Sequence, residues 1–224
     1  MSITLDQYRQ WLAERHSVRA FTSELVDPAL IQDIFTAAQQ APSNCNSQPW
    51  RVWLVRGEAC ERLRQQLVTA VSQGEIYPQD FTSVENFSGL YRERQIDCAR
   101  ALYDAMGIER ADKPARLEAM LRNYAFFDAP HVVFIGMNKA FGYNNALDVG
   151  IYVQALVLAM HAAGVGACVQ GALAHHAPLV RRFLNMPEDV GLLTGISFGY
   201  PAQKPANAAR TTRAALAEIV TVIE

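Results

Sequence analysis

The sequence has little of what marks disulfide-rich, zinc-binding or nucleic-acid-binding proteins. It contains four cysteines in 224 residues and no C-x-x-C pair, so neither a disulfide scaffold nor a common zinc motif is indicated. The formal net charge is −2, and no long basic run occurs. The charge pattern therefore gives no support to a nucleic-acid partner or an anionic membrane surface.

Long apolar segments are also scarce. No apolar run approaches the roughly 18 residues that a membrane-spanning helix needs, and the polar amino terminus lacks the apolar core of a signal peptide. We therefore expect a cytoplasmic protein with reduced cysteines. Half of the residues are hydrophobic, which fits a single domain over residues 1–224, or one subunit of an intertwined oligomer.

The hydrophobic periodicity predicts a mixture of helices and strands. Helices are expected over residues of about 4–14, 28–40, 58–72, 145–163 and 178–185. Strands are expected over 51–56, 131–137, 191–200 and 218–223, with a further strand through Val169. Helices and strands alternate imperfectly, which favours an α+β sandwich of sheet and helices.

Residues 74–121 are the least regular part of the sequence. They contain several aromatic residues, many charges and some helical periodicity from Tyr91 to Met106. We interpret this segment as a helical insertion with mobile loops. Two roles stay open: a lid over a ligand site, or a peripheral helical pair with its own small core.

The stretch Ala41–Trp50, APSNCNSQPW, is unusual for a loop. Two prolines enclose uncharged hydrogen-bonding side chains. Such groups suit a planar ligand with a polar edge, for example a flavin or a base. The alternative is a capped helix-to-strand turn, because Ser and Asn are common turn residues. Cys45 lies inside this stretch and is interpreted as a small filler.

Two further segments carry candidate binding groups. In an extended segment Arg15, Ser17 and Arg19 point to the same side, where they can hold a phosphate; the alternative is a pair of solvated arginines. The glycines between Gly164 and Gly171 do not have dinucleotide-loop spacing and follow a helix instead of a strand. We expect Gly164 to end that helix, and Gly171 to let the backbone approach a ligand.

Three motifs together resemble the nitroreductase family of FMN-dependent oxidoreductases. Pro42-Ser43-x-x-Asn46-x-Gln48-Pro49-Trp50 resembles the family signature, and Arg15-His16-Ser17-Val18-Arg19 resembles its R-x-S-x-R segment. Asn207, Arg210 and Arg213 resemble its arginine-bearing tail. The resemblance implies a three-layer sandwich, in which helices flank a mostly antiparallel sheet, and an intertwined homodimer with the helix over 145–163 in its interface.

The resemblance also implies a set of cofactor-binding residues. These are Arg15, His16, Ser17, Arg19, Pro42, Ser43, Asn44, Asn46, Gln154, Gln170, Gly171, Arg210 and Arg213. The arginines at 15, 210 and 213, with Ser17, would hold the phosphate end, and Arg19 would lie near the pyrimidine edge of the ring. Residues 43, 44 and 46 would contact the ring or the ribityl chain from the partner subunit.

Residues 170 and 171 would lie near the reactive N5 position. Gln170 stands where some relatives carry an acidic or an aromatic residue, which leaves the choice of acceptor open. For Gln154, a flavin contact and a core amide are equally good interpretations. The adjacent His175 and His176 lack a carboxylate at ligand spacing, so we expect no metal site.

The function implied is that of an oxidoreductase with tightly bound FMN. It would take hydride from NADPH or NADH and reduce a small planar acceptor, such as a nitroaromatic or a quinone, in a ping-pong cycle. No side chain is expected to be catalytic, because the chemistry takes place at the FMN N5. The alternatives are another flavin chemistry of the family (dehalogenation, desaturation or flavin fragmentation), a non-catalytic flavin-binding protein, or a structural dimer without flavin.

Overall fold

A four-stranded antiparallel sheet organises the chain, as seen in a computed structural model that describes residues 3–82 and 86–224. The strands are β1 (Arg51–Arg56), β2 (His131–Asn138), β3 (Gly166–Gln170) and β4 (Val190–Gly199), in the order β1-β2-β4-β3. The helices are α1 (Leu5–Glu14), α2 (Pro28–Ala38), α3 (Gly57–Ser72), α4 (Gly89–Met106), α5 (Lys113–Leu121), α6 (Tyr143–Ala162), α7 (Ala177–Leu184) and α8 (Leu216–Ile219).

Local sequence signals fix the first two helices. Thr4 and Gln7 form a capping box at the start of α1, with the Gln7 amide donating to the Thr4 hydroxyl at 3.2 Å. Asp27 caps α2 by accepting the Ala29 amide at 2.7 Å, and Pro28 occupies the first helical position. These starts match the sequence predictions.

Helices cover both faces of the sheet. Along β2 successive side chains point to opposite faces, so Val132 and Phe134 pack with α3 and α7, whereas Val133 and Ile135 pack with α2 and α6. All of these β2 side chains are fully buried. The predicted α+β class and the antiparallel sheet flanked by helices are confirmed, and the three layers follow from the two cores.

The long helix α6 has one buried side and one exposed side in the protomer. It packs on the sheet through residues such as Tyr152 and Leu156, but a stripe of its surface is exposed in the protomer. Tyr143, Leu147 and Ile151 are 84%, 66% and 38% exposed, and they recur at the helical spacing that places them on one face. In the protomer α6 is therefore buried on the side that faces α2 and the sheet and exposed along this stripe.

The expectation that no apolar segment is long enough to span a membrane is wrong for α6. With 20 residues and a mean hydropathy of 1.2, α6 is long and apolar enough to cross a membrane by length and composition alone. Core helices of soluble proteins meet the same criterion. Here α6 packs on α2 and the sheet and carries the buried carboxylate of Asp148.

The predicted insertion contains α4 and α5, and its residues 83–85 lie outside the described part of the chain. Arg116 of α5 lies 5.1 Å from the ring centre of Tyr103 in α4, within the range of a cation–π contact. The first part of the insertion is anchored by Asp80, which pairs with Arg181 and accepts the Leu192 amide at 2.8 Å. Burial acts to raise the pKa of Asp80, but the hydrogen bonds from Arg181 and Leu192 outweigh it and lower that pKa.

The strand predicted over residues 218–223 is wrong. The chain forms the short helix α8 there and then runs without regular structure to residue 224. Val222 and Ile223 are 74% and 92% exposed. An alternating sequence becomes a strand only when a neighbouring strand supplies hydrogen bonds, and the described residues of this protomer provide none at that position.

Candidate functional site

A cavity of about 470 Å³ brings together the two ends of the chain. The cavity, which we call the arginine cavity, is lined by Leu12, Ala13, Arg15, His16, Ser17, Arg19, Cys98, Leu102, Ala209, Arg210, Thr211 and Arg213. It therefore contains the R-x-S-x-R segment and both arginines of the tail, although almost 200 residues separate them in sequence. Cys98 and Leu102 come from α4, so the insertion forms part of its wall.

The segment from Arg15 to Arg19 is held along β3. Ser17 forms a bridge with Ala167, and the Val18 amide donates to the Ala167 carbonyl at 3.0 Å. Because the segment is extended, Val18 points into the core at 2% exposure, whereas the residues on either side face the cavity. As predicted, Arg15, Ser17 and Arg19 therefore point to the same side, where they line the cavity.

The tail is attached to the same segment by the side chain of Asn207. Its Oδ1 accepts the Arg19 amide at 2.7 Å, and its Nδ2 donates to the carbonyls of Ala20 and Ala202, each at 2.8 Å. The Asn207 carbonyl in turn accepts from Arg210 Nη1 at 2.7 Å. Sequence reasoning placed Asn207 in the tail motif but did not foresee that it joins the two halves of the cavity.

The cavity is positively charged. Within residues 3–82 and 86–224, no carboxylate lies within ion-pair distance of Arg15, Arg19, Arg210 or Arg213. Burial, followed by repulsion from Arg213, lowers the pKa of Arg15. A bound anion would relieve this repulsion, and phosphate suits it because guanidinium groups present paired donors to its oxygens.

Cys168 lies beneath the cavity in β3. Burial raises the pKa of its thiol to about 11, although Arg19 and Ser17 act in the opposite direction. The thiol therefore stays protonated at neutral pH and serves as a core residue. Cys98, in contrast, is exposed and lines the cavity.

The Ala41–Trp50 stretch, which we call the polar loop, contains a strained turn. Residues 44–46 form one 3₁₀ turn, and Cys45, Asn46 and Gln48 have φ values of 52°, 53° and 45°. The Ser43 hydroxyl accepts the Gln48 amide at 2.9 Å. Composition gives no signal of this left-handed backbone, because none of the three residues is glycine.

Buried aromatic residues close the carboxyl-terminal end of the polar loop. Trp50 stacks on Tyr152 of α6 with ring centres 4.7 Å apart, and its indole N–H donates to Gln39 Oε1 at 3.2 Å. The polar side chains before it, from Asn44 to Gln48, are exposed, as are Pro42 and Cys45. The loop therefore presents its hydrogen-bonding groups outward from a fixed base.

The polar loop and the arginine cavity lie near opposite ends of α6. The Asn44 amide donates to Asp148 Oδ1 at 3.1 Å, whereas His161, nearer the other end, contacts the Trp11 carbonyl through Nε2 at 3.2 Å beside Arg15. Thirteen residues of helix separate Asp148 from His161, or about 20 Å at the helical rise. None of the polar-loop residues lines the arginine cavity.

The three other predicted residues have different surroundings. Gln170 is 3% exposed, and its amide donates to the Asn123 carbonyl at 2.7 Å while accepting from the Ser197 hydroxyl. Its side chain is therefore buried and held by hydrogen bonds inside the protein. Gly171 is exposed with open space where a Cβ would be, and Gln154 is exposed on α6.

Several structural residues were not foreseen. Arg122, at the end of α5, donates to the Arg19 carbonyl at 3.2 Å and pairs with Asp128 at 3.1 Å. Asp148 carries a signal that the sequence does offer, since it is the one acidic residue in a mainly apolar helix. No group of three or more His, Cys, Asp or Glu side chains in the described residues is arranged to hold a metal ion.

Comparison with known proteins agrees with these features. The profile of the Nitroreductase family matches residues 12–200. A nitroreductase named NfnB, from Mycolicibacterium smegmatis, is 39% identical over 206 residues, which cover 91% of this chain and 87% of that protein. A nitrobenzene nitroreductase from Ectopseudomonas oleovorans is 29% identical, with 95% of each chain covered.

A solved structure is similar over the whole length. The crystal structure of the FMN-dependent nitroreductase NfnB from Mycobacterium smegmatis, in complex with NADPH, has a TM-score of 0.93 at 36% identity. The similarity covers 99% of this chain and 100% of that one. The sheet, the helical layers and the insertion are therefore shared features of the two proteins.

Proposed function

Because this chain belongs to the nitroreductase family, we propose that it is an FMN-dependent oxidoreductase that takes hydride from NADPH or NADH and reduces nitroaromatic, quinone or similar conjugated acceptors. The arginine cavity carries this proposal. It gathers four guanidinium groups without a carboxylate partner among the described residues, which is an arrangement suited to the phosphate of a nucleotide-like cofactor.

The cavity fits the phosphate end of FMN. Arg15, Ser17, Arg210 and Arg213 would hold the phosphate, and the repulsion that lowers the pKa of Arg15 would be relieved by its negative charge. His16 and Arg19 line the same cavity. Arg19 would lie toward the pyrimidine edge of the ring, where a fixed positive charge favours negative charge on that edge.

When bound, FMN would supply the redox chemistry by which hydride from the nicotinamide nucleotide reaches the acceptor, in a ping-pong cycle. The protein binds and orients the flavin, and no side chain acts as nucleophile or obligatory acid. Gly171, with open space at its Cα, lets the backbone approach the reactive edge. Because the Gln170 side chain is occupied internally, it would influence that edge only through its backbone.

We infer a homodimer from the same geometry. The apolar stripe of α6 is exposed in one protomer, and Gln154 lies on it. The polar loop lies about 20 Å along α6 from the arginine cavity, so Ser43, Asn44 and Asn46, next to Pro42, are better placed to complete the site of a second subunit. Burial of the stripe would supply the apolar area that a stable dimer needs.

Two finer features belong to the proposal. The chain would act as one domain over residues 1–224, with 74–121 as a helical insertion that covers the site, because α4 supplies Cys98 and Leu102 to the cavity wall. We further propose a soluble, cytoplasmic location, since α6, the long apolar helix, packs on the sheet and buries Asp148.

The first test is an absorption spectrum of the purified protein, recorded before and after anaerobic addition of NADPH or NADH. Flavin bands at about 450 nm that bleach with the nucleotide and return when a nitroaromatic is added are the expected result. A colourless protein that takes up no added FMN would contradict the proposal. Bound flavin that neither nucleotide reduces would indicate a flavin-binding protein without turnover.

Two exposed thiols allow a test of whether the arginine cavity of one subunit and the polar loop of the other form one flavin site. Cys98 lines the arginine cavity and Cys45 lies in the polar loop. In Cys98→Ser and Cys45→Ser variants only one of these thiols remains, so the rate of alkylation reports one location at a time. We expect added FMN to slow both rates. If FMN slowed the alkylation of Cys98 but not that of Cys45, the polar loop would not be part of the flavin site.

A further inference from the structure

Asp148 is the one carboxylate on the mainly apolar helix α6, and it is buried. It is 5% exposed, and no other Asp or Glu within residues 3–82 and 86–224 is buried. Aspartate is a poor helix former in a helix interior, and a buried carboxylate is unfavourable unless it is hydrogen-bonded. A residue with both disadvantages indicates a role other than packing.

The contacts of Asp148 point to the polar loop. Its Oδ1 accepts the backbone N–H of Asn44 at 3.1 Å, whereas its Oδ2 is buried without a partner among the described residues. The carboxylate therefore joins α6 to the first residue of the 3₁₀ turn. Because both oxygens are shielded by protein, the side chain acts on a ligand only through that turn.

The turn needs such support because its backbone is strained. Left-handed φ values at Cys45, Asn46 and Gln48 persist only where the surroundings fix them. Hydrogen bonds from the Asn46 and Ser47 amides to the carbonyls of Ser43 and Asn44, each 3.0 Å, connect the loop to itself. The bond from Asn44 to Asp148 connects the turn to the rigid helix.

We propose that Asp148 is a positioning residue of the flavin site. By fixing the Asn44–Asn46 turn on α6, it holds the exposed polar groups of the loop where they hydrogen-bond the flavin. This inference rests on the proposed function. The helix α6 would then have two roles. Its apolar stripe would form the dimer interface, and its Asp148 would orient the polar loop that contacts the flavin of the partner subunit.

Three variants separate this role from simple loss of stability. Asp148→Ala removes the acceptor for the Asn44 amide, whereas Asp148→Asn keeps an amide oxygen at the same place. Leu156→Ala, two turns further along α6, removes a fully buried side chain that belongs to the core. It should lower the melting temperature while the hydrogen bond from the Asn44 amide to Asp148 stays in place.

The measurements are the dissociation constant of FMN for each apoprotein, by flavin fluorescence, and amide hydrogen exchange of residues 43–48. For Asp148→Ala we expect FMN affinity to fall at least about tenfold and exchange to accelerate by a similar factor, as the loss of a buried hydrogen bond allows. Asp148→Asn should stay within about threefold of wild type in both. Leu156→Ala should leave the exchange of the loop and the FMN affinity near the wild-type values.

The outcomes distinguish this inference from the proposed function. Wild-type protein that takes up no FMN would overturn both. Wild-type protein that binds FMN, together with Asp148→Ala protein that binds it equally well, would overturn the role of Asp148 alone. So would an Asp148→Asn variant as weak as Asp148→Ala, or a Leu156→Ala variant with the same loss of affinity.

Discussion

The side-chain oxygen of Asn207 accepts the backbone N–H of Arg19 at 2.7 Å, across 188 residues of sequence. The same side chain donates to the carbonyls of Ala20 and Ala202. One amide group therefore aligns the amino-terminal and carboxyl-terminal arginines around one cavity. An asparagine suits this place because it offers an acceptor and two donors in one plane.

Replacement of Asn207 should weaken cofactor binding more than it weakens the fold. Asn207→Ala removes three hydrogen bonds to backbone groups, each worth about 0.5–1.5 kcal/mol. The tail that carries Arg210 and Arg213 would then lose its alignment with Arg15. We expect an FMN dissociation constant about tenfold or more above wild type, measured by fluorescence titration of the apoprotein.

Asn207→Asp is the matched control. It keeps the acceptor for the Arg19 amide but loses both donors. Measured with added salt, which screens the new charge beside the cavity, its affinity should lie between wild type and Asn207→Ala. FMN affinity equal to wild type in Asn207→Ala would show that the arginines hold their positions without the hydrogen bonds of Asn207.

Arg213→Ala should lose FMN with little change of fold. Among residues 3–82 and 86–224, the guanidinium of Arg213 donates hydrogen bonds only to Thr211 and Thr212, and the residue is exposed, so its removal leaves the core intact. A charge-assisted hydrogen bond is worth about 1.5–3 kcal/mol, which corresponds to about 10- to 100-fold weaker binding. Flavin content after gel filtration and a fluorescence titration measure the loss.

Arg100→Ala provides the comparison for Arg213→Ala. Arg100 pairs with Asp97 on α4, and both side chains are exposed. Its removal changes the net charge by the same amount but does not alter the cavity lining. FMN content should stay at the wild-type level. Full retention of flavin by Arg213→Ala would refute the assignment of Arg213 to the phosphate.

Leu147→Glu should prevent dimer formation. Leu147 is 66% exposed at the centre of the α6 stripe, where a charge would be desolvated if a second copy covers it, at a cost of several kcal/mol. Light scattering at micromolar concentration should then give the mass of one chain, with loss of FMN. Leu117→Glu, the same change at an exposed site of α5, should leave the dimer intact. A wild-type chain that is monomeric under these conditions contradicts the inference.

His131 should make the protein less stable in mild acid. Burial, with a smaller contribution from Arg56, lowers the pKa of His131 to about 4, and its Nε2 accepts the Val26 amide at 3.0 Å. In the unfolded chain the imidazole has its ordinary pKa of 6.5. Between these values the unfolded state binds the additional proton, so stability is complete above about pH 6.5 and falls as the pH decreases toward 4.

Urea unfolding at pH 7.5 and pH 5 measures this effect. From the two pKa values, His131 alone should lower the free energy of unfolding by about 2 kcal/mol between these conditions. His131→Gln keeps an acceptor for the Val26 amide without a titrating group, so that part of the decrease should disappear. An unchanged pH dependence in His131→Gln would show that the proton is taken up elsewhere.

The sequence predicts those parts of the fold in which local chemistry and burial agree. The Asp27–Pro28 cap starts α2, and the predicted strand over 51–56 has the bounds of β1. The stretch 131–137 is fully apolar or small after His131 and becomes the central strand β2. In each case the short-range signal and the core favour the same structure.

The remaining differences have a cause outside the local sequence. Residues 218–223 alternate like a strand, but a strand requires a partner, and the alternation gives no information on whether one exists. Gln170 lies next to an exposed glycine, yet the carbonyl of Asn123, 47 residues away, draws its amide inward. The left-handed turn at Cys45 likewise depends on Asp148, which is 103 residues further along the chain.

The insertion is attached to the rest of the protein at both of its ends. Asp80, near the start of the insertion, is held by Arg181 and the Leu192 amide. Arg122, directly after its end, donates to the Arg19 carbonyl and pairs with Asp128. Between these anchors α4 has no buried side chain. Substitutions on α4 away from Cys98 and Leu102 can therefore accumulate during evolution, or be introduced by design, with little cost to the core and without a change in the lining of the arginine cavity.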